Sequence, residues 1–221
     1  MMTAKLPAPA YLWRIALGAL FLLLAAAIIA GGFAEGQKIF ALYTPAAEGR
    51  PPVYDVRNAG QKIALYRCFY TAWATLILLI PALVFFWFRR RSEKAFLWWQ
   101  VFWTVSYAAF LVHFFWATMI FFEGDWQAMQ NTTRVKAFWP DIIVTVWWGI
   151  DVLLSWLIKK ENRLIGVQRV AVHLAVFTLF ALGALMKGEV LFSKILGVSL
   201  VAAVLFALVQ YARGRKVILL D

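Results

Sequence analysis

Long apolar runs separated by short polar segments dominate the chain, and six of them are long enough to cross a bilayer as helices of roughly 20 residues. The predicted spans are residues 11–33, 66–88, 96–122, 141–158, 168–186 and 190–212. These runs do not alternate between polar and apolar positions, which favours helices over the strands of a membrane barrel. The pattern predicts an all-α integral membrane protein, a six-transmembrane helix bundle that forms a single transmembrane domain over residues 1–221.

The composition is that of a protein that lies mostly within a membrane. Of its 221 residues, 64% are hydrophobic and 15% are charged. An ordinary soluble domain is roughly 45–50% apolar and about 25% charged. We therefore expect very little of this chain outside the bilayer.

The first apolar run has two interpretations, a cleaved signal peptide or a retained anchor helix. A basic start, an apolar stretch and small residues near Ala34 are compatible with a signal peptide. Because the segment is present in this chain, we interpret it as an anchor helix. Its alanines and glycines within residues 25–32 suit close helix packing in lipid.

The distribution of positive charge predicts the orientation. The chain has 22 Lys and Arg against 11 Asp and Glu, a net charge of +11. Thirteen of the positive residues fall on one side of the predicted topology and nine on the other, and four of those nine lie in the connection 34–65. Cytoplasmic loops are enriched in Lys and Arg. Both termini are therefore predicted to be cytoplasmic, in the inner (plasma) membrane of the cell.

The longest connection, 34–65, is predicted to lie across the outer face. Its prolines, Pro45, Pro51 and Pro52, argue against one long helix. It is either a plain connector between helices, or a lid or partner-docking surface.

Several classes of function are disfavoured by what the chain lacks. It has no GxGxxG, GxxxxGK[ST], GxSxG or HExxH motif. One cysteine, Cys68, and two histidines leave no multi-cysteine metal site, and no metal site is predicted. The basic residues lie in short connections rather than on a soluble face, so nucleic-acid binding is not expected. Catalytic residues and cofactors remain unassigned, and whether the protein is an enzyme stays open.

Two histidines within the spans raise the question of a haem held by both. His113 is expected ~26 Å from the cytoplasmic end of the third span and His173 ~8 Å from that end of the fifth. Because two axial ligands must meet one iron, this difference in depth disfavours such a haem. His173 is instead expected near the membrane surface, beside Arg169.

A carboxylate within the fourth span is the main candidate for a functional site. Asp151 costs at least ~2.5–3.5 kcal/mol to insert, and such residues usually face a bundle interior with a partner. It is expected ~15 Å below the outer boundary, and His113 of the third span ~13 Å below it. The similar depths predict a contact between His113 and Asp151 near the middle of the membrane.

Helical spacing adds neighbours to this predicted pair. Residues on the faces of His113 and Asp151 are Ser106, Trp116, Trp147, Trp148 and Ser155. A pocket with a polar centre and aromatic walls could bind a quinone, a lipid or another amphipathic ligand, or pass a proton. Alternatively, the pair only fixes helix packing.

The sequence therefore predicts a polytopic inner-membrane protein that acts as an accessory or hydrophobic-ligand-holding subunit of a larger membrane complex. Its expected partners are the lipid bilayer and either other membrane subunits or further copies of itself. The alternative is a small proton-linked transporter or membrane-embedded enzyme that uses the His113–Asp151 pair.

Overall fold

Six long helices form the molecule, as described by a computed structural model for residues 9–33, 59–131, 138–158, 161–186 and 190–214. The helices are α1 (Ala10–Phe33), α2 (Ala59–Phe88), α3 (Glu93–Phe115), a short α4 (Trp126–Asn131), α5 (Phe138–Leu157), α6 (Arg163–Met186) and α7 (Leu191–Ala212). All but α4 are long and apolar enough to span a membrane. Within the described ranges the chain is helical without strands, so the predicted six-helix membrane fold is confirmed.

Polar side chains cap the N-termini of two helices, α3 and α6. The Ser92 hydroxyl accepts a hydrogen bond from the backbone N–H of Ala95 at the start of α3. Asn162 accepts from the N–H of Ile165 in the same way at the start of α6. These side chains satisfy backbone donors that the first turn of a helix leaves free.

Two features depart from uniform α-helices over the predicted spans. The helix α2 begins at Ala59, so it includes the last part of the segment predicted as loop 34–65, and residues 34–58 lie outside the described residues. The predicted third span is α3 followed directly by a π-helical turn, Trp116–Phe121. The wider turn changes the face on which the residues after Phe115 lie.

The second helix is the centre of the bundle. In the most apolar window of α2, 67% of the residues are buried inside the protein, against 22% for α1. The helix contacts α1, α3, α6 and α7. At Gly31 of α1 a side chain would meet Arg67 of α2 at 2.6 Å, so a residue without a side chain is needed for this close crossing.

Helix α5, which corresponds to the fourth predicted span, packs against both α3 and α6. The three helices meet near one end of the bundle, formed by the α2–α3 turn, the connection before α6 and the end of α7. Arg89, Arg90, Arg91, Arg163 and Arg213 lie there. We call it the basic end.

Candidate functional site

Asp151 lies on the buried face of α5, six residues before the helix ends at Leu157. This places it ~9 Å from the basic end of the helix. Its side chain is fully buried, and Trp148 and Ser155 share the same face. The charge is therefore held within the bundle, away from the surrounding lipid.

The carboxylate of Asp151 meets side chains from two neighbouring helices. The indole N–H of Trp103 on α3 donates to Oδ2 over 3.0 Å. Nε of Arg169 on α6 lies 3.5 Å from Oδ1, and both side chains are buried. Nδ1 of His173, one helical turn after Arg169, lies 4.0 Å from Oδ2. A buried ion pair with an indole donor and an imidazole beside it thus joins α3, α5 and α6.

The predicted contact between His113 and Asp151 is wrong. Nδ1 of His113 lies 2.8 Å from the backbone oxygen of Cys68 on α2. Helix α3 meets Asp151 at Trp103, which is ten residues before His113, or ~15 Å along the helix. Counting membrane depth from the predicted loop boundaries placed His113 and Asp151 at the same level. The antiparallel packing of α3 and α5 instead brings Trp103 to Asp151 and keeps His113 away from it.

Described residues enclose His173 on every side, one helical turn after Arg169. Its ring stacks between Phe86 and Trp103, with both centroid distances 3.8 Å. Nε2 lies 2.8 Å from Nε1 of Trp99, and Nδ1 lies 2.7 Å from the backbone oxygen of Arg169. Because an indole N–H can only donate, Nε2 accepts and the proton sits on Nδ1. The neutral imidazole has both nitrogens engaged, and neither is free to bind a haem iron.

A second ionic cluster lies between this buried pair and the basic end. The carboxylate of Glu161, in the connection before α6, contacts Arg90 at 2.7 Å, Arg89 at 3.2 Å and Arg169 at 3.2 Å. Partial burial acts to raise the pKa of Glu161, but the hydrogen bond from Arg90 and the three positive charges bring that pKa below its ordinary value. Burial disfavours the charged form of Arg89 and lowers its pKa, and the negative charge of Glu161 opposes this change. Charged contacts thus extend from Arg90 through Glu161 and Arg169 to Asp151.

Acid is expected to weaken the fold through Glu161. Its pKa is lower in the folded than in the unfolded chain, so the ionised form stabilises the fold at neutral pH. This contribution is lost as the pH falls below about 4.5 and through the folded-state pKa. Thermal unfolding in detergent between about pH 7 and pH 3 should show Glu161→Gln less stable at neutral pH, with the difference from the wild type shrinking in acid. A difference that is constant with pH would contradict this assignment.

The other residues predicted for the site are divided between two regions. Trp148 is fully buried and packs on Trp103 with ring centroids 4.7 Å apart. The backbone oxygen of Ser155 accepts a hydrogen bond from Gln100, while the hydroxyl of Ser106 donates to the backbone of Trp103. These three therefore lie around Asp151.

Two predicted residues do not join this cluster. Trp116 lies in the π-helical turn, where the guanidinium of Arg67 is 5.4 Å from its ring. Trp147 is partly buried and packs against the hydrophobic core. His113 belongs with Trp116 in the half of the bundle far from the basic end.

Sequence reasoning missed Arg169 and His173 as partners of the aspartate, and Trp99 and Trp103 as the aromatic residues around them. Each pair is spaced by four residues, so each presents two side chains on one helix face. The sequence pattern places Arg169 near the membrane surface because the fifth span is predicted to begin at 168. The presence of one arginine and one aspartate in neighbouring apolar segments was the sequence signal that could have predicted the Arg169–Asp151 pair.

A groove of about 750 Å³ opens beside the Glu161 cluster, between α2, α6 and the end of α7. Arg90, Glu161 and Arg163 lie at its mouth. Apolar side chains of α6 continue from there as far as Leu174, eleven residues beyond Arg163 or ~16 Å along the helix. The groove therefore has a charged end and an apolar wall.

A second groove, of about 290 Å³, lies between α1, α2 and α7 and is almost entirely apolar. Its floor includes Tyr70 and Trp73, whose rings stack 4.5 Å apart. Within the described residues, no three His, Cys, Asp or Glu side chains come together as metal ligands. The charged groove at the basic end is thus the candidate with both polar and apolar recognition elements.

The chain has no significant match among protein-family models, curated proteins or solved structures. The geometry of the grooves and of the buried ionic cluster is therefore the basis for assigning a function.

Proposed function

We propose that this polytopic membrane protein is a ligand-holding accessory subunit whose groove at the basic end binds an amphipathic molecule. The observation that supports this is the shape and chemistry of the groove. Its arginines and Glu161 lie at one end of the spanning helices, and the apolar wall extends ~16 Å from that end along α6. An amphipathic ligand matches both parts, because its polar group would stay at the edge while its chain covers Val167, Val170 and Leu174.

The accessory role rests on how little of the described chain is available for chemistry outside the bilayer. The six long helices account for most of it. Helix α1 has only five buried residues, and its outer face exposes large side chains such as Phe21 and Leu22. Lipid or a further membrane subunit covers such a face. We place the protein in the inner membrane with the basic end toward the cytoplasm, since positive loops favour that side.

The buried Asp151 cluster supports a stabilising role better than proton transfer. A proton carrier needs a group that can change partners, yet the imidazole of His173 is hydrogen bonded at both nitrogens and stacked on both faces. Arg169 holds the carboxylate, and arginine keeps its proton in proteins. His113, which the proton-linked alternative required, has its own partner on α2.

Filling the groove is expected to remove the ligand. Ala171 lies on the groove wall in the middle of α6, so Ala171→Trp should occupy the space of the ligand chain. We expect the amount of co-purifying amphipathic molecule per protein, measured by extraction and mass spectrometry in mild detergent, to fall roughly tenfold, a loss of about 1.4 kcal/mol in binding.

The matched control for this experiment is Ala202→Trp. Ala202 is exposed on α7 and does not line the groove. This variant should retain the wild-type amount. Equal retention by both variants, with both folded, would contradict binding in the groove.

A further inference from the structure

The mouth of the groove carries more positive than negative charge. Three arginines and one carboxylate line this part of the groove: Arg89, Arg90, Arg163 and Glu161. With Glu161 ionised, three positive charges face one negative charge, an excess of two. Glu161 is shared among Arg89, Arg90 and Arg169, while the Arg90 side chain remains 61% exposed and Arg163 is exposed at the rim. An anion at this rim would reduce the excess.

An unused hydrogen-bond donor provides a second and independent observation. The residue Arg89 is 9% exposed and lines the groove. Its two terminal nitrogens donate to the backbone oxygen of Phe86 and to Glu161. Among the residues that the structure describes, Nε of Arg89 is buried and finds no hydrogen-bond partner. Since buried donors are nearly always paired, an acceptor oxygen from a ligand in the groove would complete the hydrogen bonding of Arg89.

We propose that the groove binds an anionic glycerophospholipid from the surrounding bilayer. Its phosphate lies between Arg90 and Arg163 and supplies an acceptor to Nε of Arg89, and one acyl chain lies along α6 toward Leu174. This proposal rests on the proposed ligand-holding function and adds the chemical class of the ligand. Guanidinium groups suit phosphate because they form short, charge-assisted hydrogen bonds with its oxygens.

The apolar wall is the reason for choosing a lipid over free phosphate. A free phosphate would use the arginines but leave Val167, Val170 and Leu174 uncovered. A neutral chain molecule would cover that wall but leave the excess charge and the free donor as they are. Only a molecule with both an anionic group and a chain satisfies the whole groove.

The test compares lipids that differ in net charge. The protein is purified in mild detergent, and binding of phosphatidylglycerol, phosphatidylcholine and inorganic phosphate is measured by native mass spectrometry. For the wild type we expect phosphatidylglycerol to bind roughly tenfold more tightly than phosphatidylcholine. The variant Arg90→Gln/Arg163→Gln should bring the two lipids to near parity, and Ala171→Trp should weaken both.

The control variant is Arg14→Gln, which removes a charge from an exposed position on α1, outside the groove. It should keep the tenfold preference. The single variant Arg163→Gln changes only an exposed rim residue and should show a partial loss of preference even if the double variant is unstable.

Each result separates this proposal from the proposed function. Equal binding of the two lipids to the wild type, with loss of both in Ala171→Trp, would overturn the anionic ligand and leave the ligand-holding groove. Binding that Ala171→Trp does not alter would overturn both. Saturable binding of inorganic phosphate without lipid binding would overturn the lipid as the source of the anion.

Discussion

Replacement of Arg169 by methionine is expected to lower the free energy of unfolding by about 3–5 kcal/mol. The change leaves the buried carboxylate of Asp151 without the positive charge 3.5 Å away. It also removes one of the contacts to Glu161. Methionine keeps a long, flexible side chain in the space, so loss of charge rather than loss of volume dominates the effect. Chemical or thermal unfolding in detergent measures it.

The double variant Arg169→Met/Asp151→Leu distinguishes an ion pair from simple packing. Removing both charges leaves no uncompensated carboxylate, so most of the lost stability should return. The exposed arginine Arg14 provides the control, because Arg14→Met should change stability by no more than about 0.5 kcal/mol. A double variant less stable than Arg169→Met would contradict the role of the pair.

The second large effect is expected at Trp103. Its indole stacks on His173, packs on Trp148 and donates to Asp151, and it is fully buried. Trp103→Ala should cost about 3–5 kcal/mol through the cavity it leaves. Trp103→Phe keeps most of the ring but loses the N–H donor, and we expect about 1.5–3 kcal/mol because the acceptor is charged.

The informative measurement is the order of stability of Trp103→Phe and Trp103→Ala. Trp139 on α5 is 62% exposed, so Trp139→Ala is a control for the general effect of removing a tryptophan from this protein. Unfolding midpoints should rank the wild type and Trp139→Ala highest, Trp103→Phe between, and Trp103→Ala lowest. If Trp103→Phe matches the wild type, the hydrogen bond to Asp151 contributes nothing to stability.

Hydropathy predicted the number of spanning helices and missed where two of them begin. Helix α2 begins at Ala59, seven residues before the predicted span, and α6 begins at Arg163, five residues before it. Apolar runs mark the part of a helix that lies in hydrocarbon. Backbone hydrogen bonds continue the helix through polar residues such as Gln61, which hydropathy assigns to a loop.

The cost of burying a charge identified Asp151 correctly as an interior residue, but it could not identify the partner. The prediction paired it with the next span back along the chain, and α3 and α5 do pack together. The charged partner comes instead from α6, which also packs on α5. The prediction started the fifth span at 168 and put Arg169 at the membrane surface, whereas its side chain is buried within the bundle beside Asp151. The rotation of each helix about its axis and its register against its neighbours depend on side-chain packing across the whole bundle. The sequence of one span does not determine them.

The central position of α2 has a consequence for the order of assembly during synthesis. The indole N–H of Trp73 on α2 donates to the hydroxyl of Ser193 on α7 over 2.7 Å, and the two residues are 120 positions apart. A ribosome making this chain therefore releases α2 well before the residue that completes this contact. Helix α7 emerges after the other described helices, so a nascent chain halted before α7 would lack the hydrogen bond between Trp73 and Ser193 even with the earlier described spans inserted.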